Sequence, residues 1–176
     1  MKLYVARHGQ TRWNADNKVC GRTDLPLTEV GIAQAQALAE KAAYLGIDLI
    51  LTSPLDRAHT MARLIADRCG AEVQVEERLS EQNYGVFEGV DRQDPGFLAN
   101  KRQFAVRYPG GESMMDTAGR IYPLLEEIRE RYSEKTVLLA CHGGVCRVIR
   151  TFFVPMTNEE YFSYSPENCS VECYEL

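Results

Sequence analysis

Short apolar runs alternate along this chain with longer segments in which apolar residues recur every three or four positions. The apolar runs, which predict strands from their β-branched and aromatic content, are residues 3–6, 49–52, 73–75, 136–140 and 170–174. The periodic segments predict helices at residues 28–45, 55–68, 97–106, from 113 onward and 145–153, with loops at 14–27 and 79–89. Alternating strands and helices predict an α/β fold, a three-layer α/β/α sandwich with a mostly parallel central sheet. The last strand is expected at an edge, running antiparallel.

Local signals sharpen several helix boundaries. Thr28 is a good N-cap for the first long helix, and Gly46 is expected to end it. Ser113 and Asp116 have the spacing of a capping box at the start of another helix. Pro123 is expected either to kink that helix or to mark a restart, because proline removes one backbone donor.

The 176 residues are expected to form a single domain, since this length is sufficient for one hydrophobic core. The net charge of −5 argues against bulk binding of nucleic acid or an anionic membrane, both of which require a basic face. No secretory signal or membrane-spanning run is visible, and the six cysteines form no CxxC pair, so we expect a cytoplasmic protein with free thiols. The three histidines are too few and too dispersed for a zinc site, and no metal or other cofactor is expected.

Polar residues that could take part in catalysis or ligand binding follow four of the predicted strands. Because ligands bind outside the carboxyl ends of parallel strands, these residues are expected to meet at one edge of the sheet. They are Arg7-His8-Gly9 after the first strand, Ser53 and Arg57 after the second, Glu81 after the third, and His142-Gly143-Gly144 after the fourth.

This set suits phosphoryl transfer without a metal. His8 would attack phosphorus in line and form a covalent phosphohistidine. Its other ring nitrogen would donate to a backbone carbonyl, and neighbouring arginines would favour the neutral, nucleophilic imidazole. Glu81 would protonate the leaving oxygen and then activate water.

Positive charge and hydrogen-bond donors are needed because the transferred group carries negative charge on three oxygens. Arg7, Arg57 and a doubly hydrogen-bonding His142 are expected to supply them. The helix N-termini after Ser53 and Gly144 are expected to add backbone N–H groups.

The chain resembles the histidine phosphatase superfamily, also called the phosphoglycerate mutase-like family, nearly from end to end. The matching segments are Arg7-His8-Gly9-Gln10-Thr11 with Asn14, residues 21–28 with Gly31, Ser53-Pro54-Leu55 with Arg57, Glu81, Glu88-Gly89, residues 109–113 with Arg120, and His142-Gly143-Gly144. The resemblance implies His8 as phosphate acceptor and Glu81 as proton donor. It further implies a phosphate pocket of Arg7, Asn14, Arg57 and His142, with backbone contacts from the Gly21 region.

Hydrolysis is the expected outcome within this resemblance, with a small phosphorylated metabolite and inorganic phosphate as the molecules bound. The family's cofactor-dependent mutases are longer and carry Arg-His-Tyr-Gly where this chain has Gln82-Asn83-Tyr84-Gly85. With fewer cations and less cover, water should reach the phosphohistidine. The short broad-specificity and α-ribazole-phosphate phosphatases are the nearest type. The alternatives are a mutase-type phosphotransferase and a binding module without turnover.

Substrate specificity is expected to depend on residues 82–110 and 164–168. Phe97, Phe104 and Tyr108 suggest a leaving group with some apolar surface. Gly143 is a further candidate for substrate binding. Arg22 is either a substrate contact or a solvated loop arginine, and the sequence leaves both open.

Overall fold

The five predicted strands form one mixed sheet in the computed structural model, which describes residues 1–176. They are β1 (Lys2–Arg7), β2 (Leu49–Thr52), β3 (Glu72–Val75), β4 (Val137–Cys141) and β5 (Val171–Glu175). The strand order is β3-β2-β4-β1-β5. All neighbours pair in parallel except β5, which is antiparallel to β1 and forms the expected edge.

Alternate residues of the central strands are buried in two separate cores, as the period of two in a strand requires. The even-numbered positions, such as Tyr4, Ile50 and Leu138, pack against the helices that follow β1 and β2. The odd-numbered positions, such as Leu3 and Leu139, pack against helices on the opposite face. The sheet is therefore covered on both sides, and the predicted three-layer sandwich is confirmed.

Seven helices surround the sheet. They are α1 (Arg12–Ala15), α2 (Glu29–Ala42), α3 (Asp56–Cys69), α4 (Pro95–Lys101), α5 (Met114–Arg131), α6 (Gly143–Phe153) and α7 (Asn158–Ser163). Thr28 caps α2 by accepting from the Gly31 N–H, as predicted. Gly70 ends α3 in a left-handed conformation, with φ of 74°. No helix in the structure combines the length and the apolar character needed to cross a membrane.

The sequence-based helix predictions were wrong at four places. Helix α2 ends at Ala42, because the chain leaves the helix in a turn over residues 43–46, so Gly46 lies beyond its end. The helix predicted over 97–106 lies over Pro95–Lys101 instead. It begins earlier because Asp94 caps it and Pro95 occupies the first turn, and it ends at the C-cap residue Arg102. Two short helices, α1 and α7, were missed. Each begins with a threonine capping box, and each is too short for apolar periodicity to reveal it.

Helix α5 continues unbroken through Pro123, so a restart there is wrong. Pro123 and Gly119, whose carbonyl loses its helical donor, are both exposed. Water can therefore satisfy that carbonyl, which makes the proline tolerable. The predicted capping box of Ser113 and Asp116 is present at the start of the helix.

Parallel pairing brings the carboxyl ends of β1, β2 and β4 to one edge. The His8 N–H donates to the Cys141 carbonyl at 3.0 Å, and the Ser53 N–H donates to the Ala140 carbonyl at 3.0 Å. The backbone thus fixes the segments that carry His8, Ser53 and His142 side by side.

Candidate active site

His8 is 3% exposed, and both of its ring nitrogens are engaged. Its Nδ1 lies 2.6 Å from the Gly9 carbonyl oxygen, which can only accept a hydrogen bond. Its Nε2 lies 3.3 Å from the Arg57 Nε–H, which can only donate. The imidazole therefore carries its proton on Nδ1 and a lone pair on Nε2. Burial, followed by the charges of Arg57 and Arg7, holds the pKa of His8 well below its usual range, so the ring is neutral.

Arg57 lies in the first turn of α3 and is fully buried. Its two terminal nitrogens donate to the Gly21 carbonyl at 2.6 Å and the Thr23 carbonyl at 2.9 Å. The expected backbone contribution of Gly21 is therefore a carbonyl that orients Arg57. Gly21 is not among the residues that line the cavity described below.

Glu88 holds the loop that carries these carbonyls. Its carboxylate accepts from the N–H groups of Gly21 (3.1 Å), Arg22 (2.9 Å), Thr23 (3.2 Å) and Tyr84 (3.3 Å). Sequence reasoning included Glu88 in a matching motif but missed this role. The signal was weak, because Glu88 lies 65 or more positions along the chain from the loop that it organises.

Glu81 is buried beside the first turn of α6. Its carboxylate accepts from the N–H groups of Gln82 (2.7 Å), Gly144 (2.9 Å) and Val145 (3.2 Å). A Cβ atom at Gly144 would lie 2.6 Å from a Glu81 oxygen, so only glycine permits this approach. The expectation that these helical N–H groups face the ligand was wrong, because Glu81 occupies them.

The N-terminus of α3 is likewise occupied. Ser53 Oγ accepts from the Leu55 N–H at 3.3 Å, and the Asp24 carboxylate accepts from the Asp56 N–H at 2.9 Å. The N–H groups at this helix end, which were expected to contact the ligand, therefore donate to side chains of the protein instead.

His142 makes one hydrogen bond rather than the two expected. Its Nε2 lies 2.7 Å from Ser53 Oγ. Ser53 Oγ accepts from the Leu55 N–H, and we assign its own hydrogen to Nε2, which puts the ring proton of His142 on Nδ1. Burial and the charge of Arg57 hold the pKa of His142 well below its usual range.

Two buried polar atoms at this site lack any hydrogen-bond partner, namely His142 Nδ1 and Arg7 Nε. Arg7 is anchored through its Nη1, which lies 2.5 Å from the Pro166 carbonyl. The rings of His8 and His142 are 5.1 Å apart between centroids. Buried polar groups are nearly always paired in proteins, so two orphans on residues next to His8 indicate a place for a ligand.

The other predicted ligand contacts divide into two groups. Asn14 and Gly143 line the cavity next to His8. The Asn14 Oδ1 accepts from the Thr11 N–H (3.1 Å), which turns its amide nitrogen away and leaves it available. Arg22 does not line the cavity; its Nε donates to the Glu81 carbonyl (2.6 Å), and it pairs with Glu112.

A cavity of about 300 Å³ opens above His8. We refer to Arg7, His8, Arg57, Glu81 and His142 as the inner cluster; Arg7, His8 and Glu81 line the cavity directly. Three more cations, which sequence reasoning missed, line its outer part and form what we call the basic rim: Arg92, Lys101 and Arg147. Of these three residues, only Arg147 could have been found from the sequence, since it lies one helical turn after Gly143. The cavity therefore has more cations around it than the sequence motifs indicated.

The aromatic residues predicted to meet a leaving group are mainly structural. Phe97 and Tyr108 are buried in a small core with Val19. Phe104 stacks on Phe162, with 5.3 Å between ring centroids. Of the three residues predicted to contact an apolar leaving group, only Phe97 lines the cavity. These residues therefore offer little apolar surface to a ligand.

Comparisons with known proteins identify the family. The sequence profile of the histidine phosphatase superfamily (branch 1) matches residues 3–176. A probable phosphoglycerate mutase of Yersinia pestis is 36% identical over 150 residues, which cover 81% of this chain and 70% of that protein. The chain therefore belongs to the histidine phosphatase superfamily, and the expectation of a phosphatase of this type is confirmed.

Solved structures match almost the whole fold. A mycobacterial glucosyl-3-phosphoglycerate phosphatase in complex with inorganic phosphate superposes with a TM-score of 0.84 and 29% identity, over 98% of this chain and 88% of that one. The α-ribazole phosphatase of Shigella flexneri gives a TM-score of 0.87 and 25% identity, over 100% and 91% of the two chains. The resemblance to short phosphatases is thereby confirmed.

Proposed function

We propose that this chain is a metal-independent phosphomonoester hydrolase that acts on a small phosphorylated metabolite through a phosphohistidine at His8. The observation that carries the proposal is the lone pair on His8 Nε2, held beside two unpartnered buried donors, Arg7 Nε and His142 Nδ1. The donors would bind the phosphoryl oxygens while the lone pair attacks phosphorus.

In the first step His8 Nε2 forms a bond to phosphorus as the ester P–O bond breaks. The Arg57 Nε–H, which contacts Nε2 in the free protein, would then meet an oxygen of the transferred group. Two guanidinium groups would offset the negative charge that spreads over these oxygens. Protein cations thus supply the charge stabilisation that a metal supplies in other phosphoryl transfers.

Glu81 would complete both steps as acid and then as base. Three backbone N–H groups fix its carboxyl group at the cavity wall, within the same cluster as His8. In its protonated form it would give a proton to the leaving oxygen. It would then take a proton from the water that attacks phosphorus, which releases inorganic phosphate and restores the Nε2 lone pair.

The open mouth of the cavity favours hydrolysis over transfer of the phosphoryl group to a second substrate. Its lining includes the exposed residues Asn17, Gln93 and Ser165, so water has a path to His8. Mutase-type transfer remains the second candidate, because the basic rim could also retain an intermediate with a second charge.

The test is phosphate release by EDTA-treated protein from p-nitrophenyl phosphate and a panel of metabolite monophosphates between pH 5 and 8. We expect turnover that added Mg²⁺ does not increase. Release of phosphate only after metal addition would overturn metal independence.

No release from any substrate would overturn the hydrolase. Isomer interconversion of 3-phosphoglycerate in the presence of its bisphosphate would then establish a mutase. A higher melting temperature with phosphate, and no product from any assay, would establish a binding module.

A further inference from the structure

The basic rim is made by three elements that are distant in sequence. Arg92 follows the isolated bridge between Lys18 and Asp91, Lys101 is the last residue of α4, and Arg147 lies in the second turn of α6. All three are partly buried and line the cavity that also contains His8. Among the cavity-lining residues Glu81 is the only acid, although the whole chain has more acidic than basic residues.

None of the three rim cations forms an ion pair. Arg92 donates to the Lys18 carbonyl at 3.1 Å. Arg147 donates to the Tyr164 carbonyl at 3.0 Å and lies over the Tyr161 ring, 5.2 Å from its centroid. Lys101 has no side-chain hydrogen bond or ion pair in the structure. By contrast, ten ion pairs join other arginines to carboxylates, so acids are available but are not directed to this cavity.

These like charges interact with one another. Burial, then the charges of Arg147, Arg92 and Arg102, lower the pKa of Lys101 to about 8. Burial and the charge of Arg92 also lower the pKa of Arg7, so the charges of the rim and of the inner cluster interact electrostatically. Unpaired like charges around a cavity are unfavourable in the free protein, and a bound anion would relieve that cost.

We propose that Arg92, Lys101 and Arg147 form a second anion subsite, so that the preferred substrates carry a second anionic group on the leaving group. The phosphoryl group would occupy the inner cluster, and a carboxylate or second phosphate would face the rim. A cavity of about 300 Å³ suits a metabolite with two such groups. The inference rests on the proposed function, because the phosphoryl position orients the leaving group toward the rim.

Matched substrate pairs test the subsite. The pair for a carboxylate is 3-phosphoglycerate against glycerol 3-phosphate, and the pair for a second phosphate is glucose 1,6-bisphosphate against glucose 6-phosphate. We expect kcat/KM to favour the doubly charged member of at least one pair by about tenfold or more, as one charge-assisted contact allows. The pair with the larger ratio identifies the anion.

Lys101→Met should remove most of that preference, so that the ratio of kcat/KM within each substrate pair falls toward one. Arg102→Met is the matched control, since Arg102 is an exposed neighbour that does not line the cavity. That variant should keep the preference. Equal losses in both variants would indicate a general charge effect and overturn the subsite.

The pH dependence provides an independent readout. The preference should fall as pH rises through about 8, where Lys101 loses its proton. Lys101→Arg should maintain the preference at pH 9. An identical pH profile in the wild type and this variant would contradict a role for the lysine charge.

Failure of the subsite can be separated from failure of the proposed function. Hydrolysis of p-nitrophenyl phosphate with equal kcat/KM for both members of each pair would overturn the subsite alone. If the wild type hydrolyses nothing, calorimetric binding of the same pairs to His8→Ala decides the question without turnover. Tighter binding of a doubly charged member, lost in His8→Ala with Lys101→Met, would support the subsite, and equal binding would overturn it.

Discussion

The inner cluster and the basic rim enclose the same cavity, but their polar groups are held in different ways. In the inner cluster, His8, Arg57 and Glu81 each have two or three defined partners, most of them backbone groups. Arg7 and His142 each make one hydrogen bond and keep one polar atom free. In the rim, Arg92 and Arg147 each donate to a single carbonyl, and Lys101 to none. Preorganised groups can stabilise charge without reorganisation, whereas loosely held cations can adapt to different ligands. The contrast suggests that one region performs the chemistry and the other selects the substrate.

The largest effect is expected from His8→Ala. Loss of the nucleophile should lower kcat/KM at least about a thousandfold for every substrate, whatever its leaving group. His59→Ala is the matched control, because His59 is half-buried on α3 and lines a separate surface depression. Initial rates, with circular dichroism to verify folding, would measure both. Substantial activity in folded His8→Ala would remove covalent catalysis through this residue.

Glu81→Gln should separate substrates by leaving group. For alkyl phosphates kcat/KM should fall about a hundredfold or more, because the leaving alkoxide needs a proton. For p-nitrophenyl phosphate it should change far less, because that leaving group departs as a stable anion. Comparing the two kcat/KM ratios measures the acid role. Equal losses for alkyl and aryl substrates would show that Glu81 is not the acid.

Glu88→Gln tests whether the inner cluster depends on the loop that orients Arg57. The amide offers one accepting oxygen where four N–H groups now share two, so the loop should loosen. We expect kcat/KM to fall about tenfold, equally for singly and doubly charged substrates, because the rim is untouched. Glu77→Gln, at an exposed position, is the control for loss of one charge. A selective loss for doubly charged substrates would contradict this separation of roles.

The smallest effect is expected in the pH dependence of stability. His8 and His142 have pKa values well below their usual range in the folded protein, so only the unfolded chain takes up their protons just below pH of roughly 6.5. The free energy of unfolding should therefore fall as pH is lowered from 6.5, by up to about 1.4 kcal/mol per pH unit for each histidine. Urea unfolding at several pH values would measure the slope. His8→Gln should reduce it by one proton; an unchanged slope would show that His8 is not buried in its neutral form.

The sequence revealed the inner cluster because its residues follow strands that can be recognised. Arg7 pairs with Cys141 in the parallel register of β1 and β4, so two apolar runs that each precede a histidine necessarily end together. Arg57 was found for a related reason, since it lies in the first turn of the helix after β2.

The partners of these residues could not be predicted in the same way. The Gly144 N–H donates to Glu81, 63 residues away, and this depends on how the loop after β3 packs against α6. The rim is harder still, because Arg92, Lys101 and Arg147 come from three elements without a common motif. Tertiary packing brings these three residues together, and no local sequence pattern predicts it.

The most direct test of the account is to trap the covalent intermediate. Wild-type protein is mixed with p-nitrophenyl phosphate, quenched in alkali to preserve phosphohistidine, digested and analysed by mass spectrometry, with His8→Ala treated in parallel. We predict one added phosphoryl group on the peptide that contains His8, formed as fast as p-nitrophenol is released and missing from the variant. Rapid release of p-nitrophenol with no phosphoryl group on His8 at any quench time would contradict the mechanism.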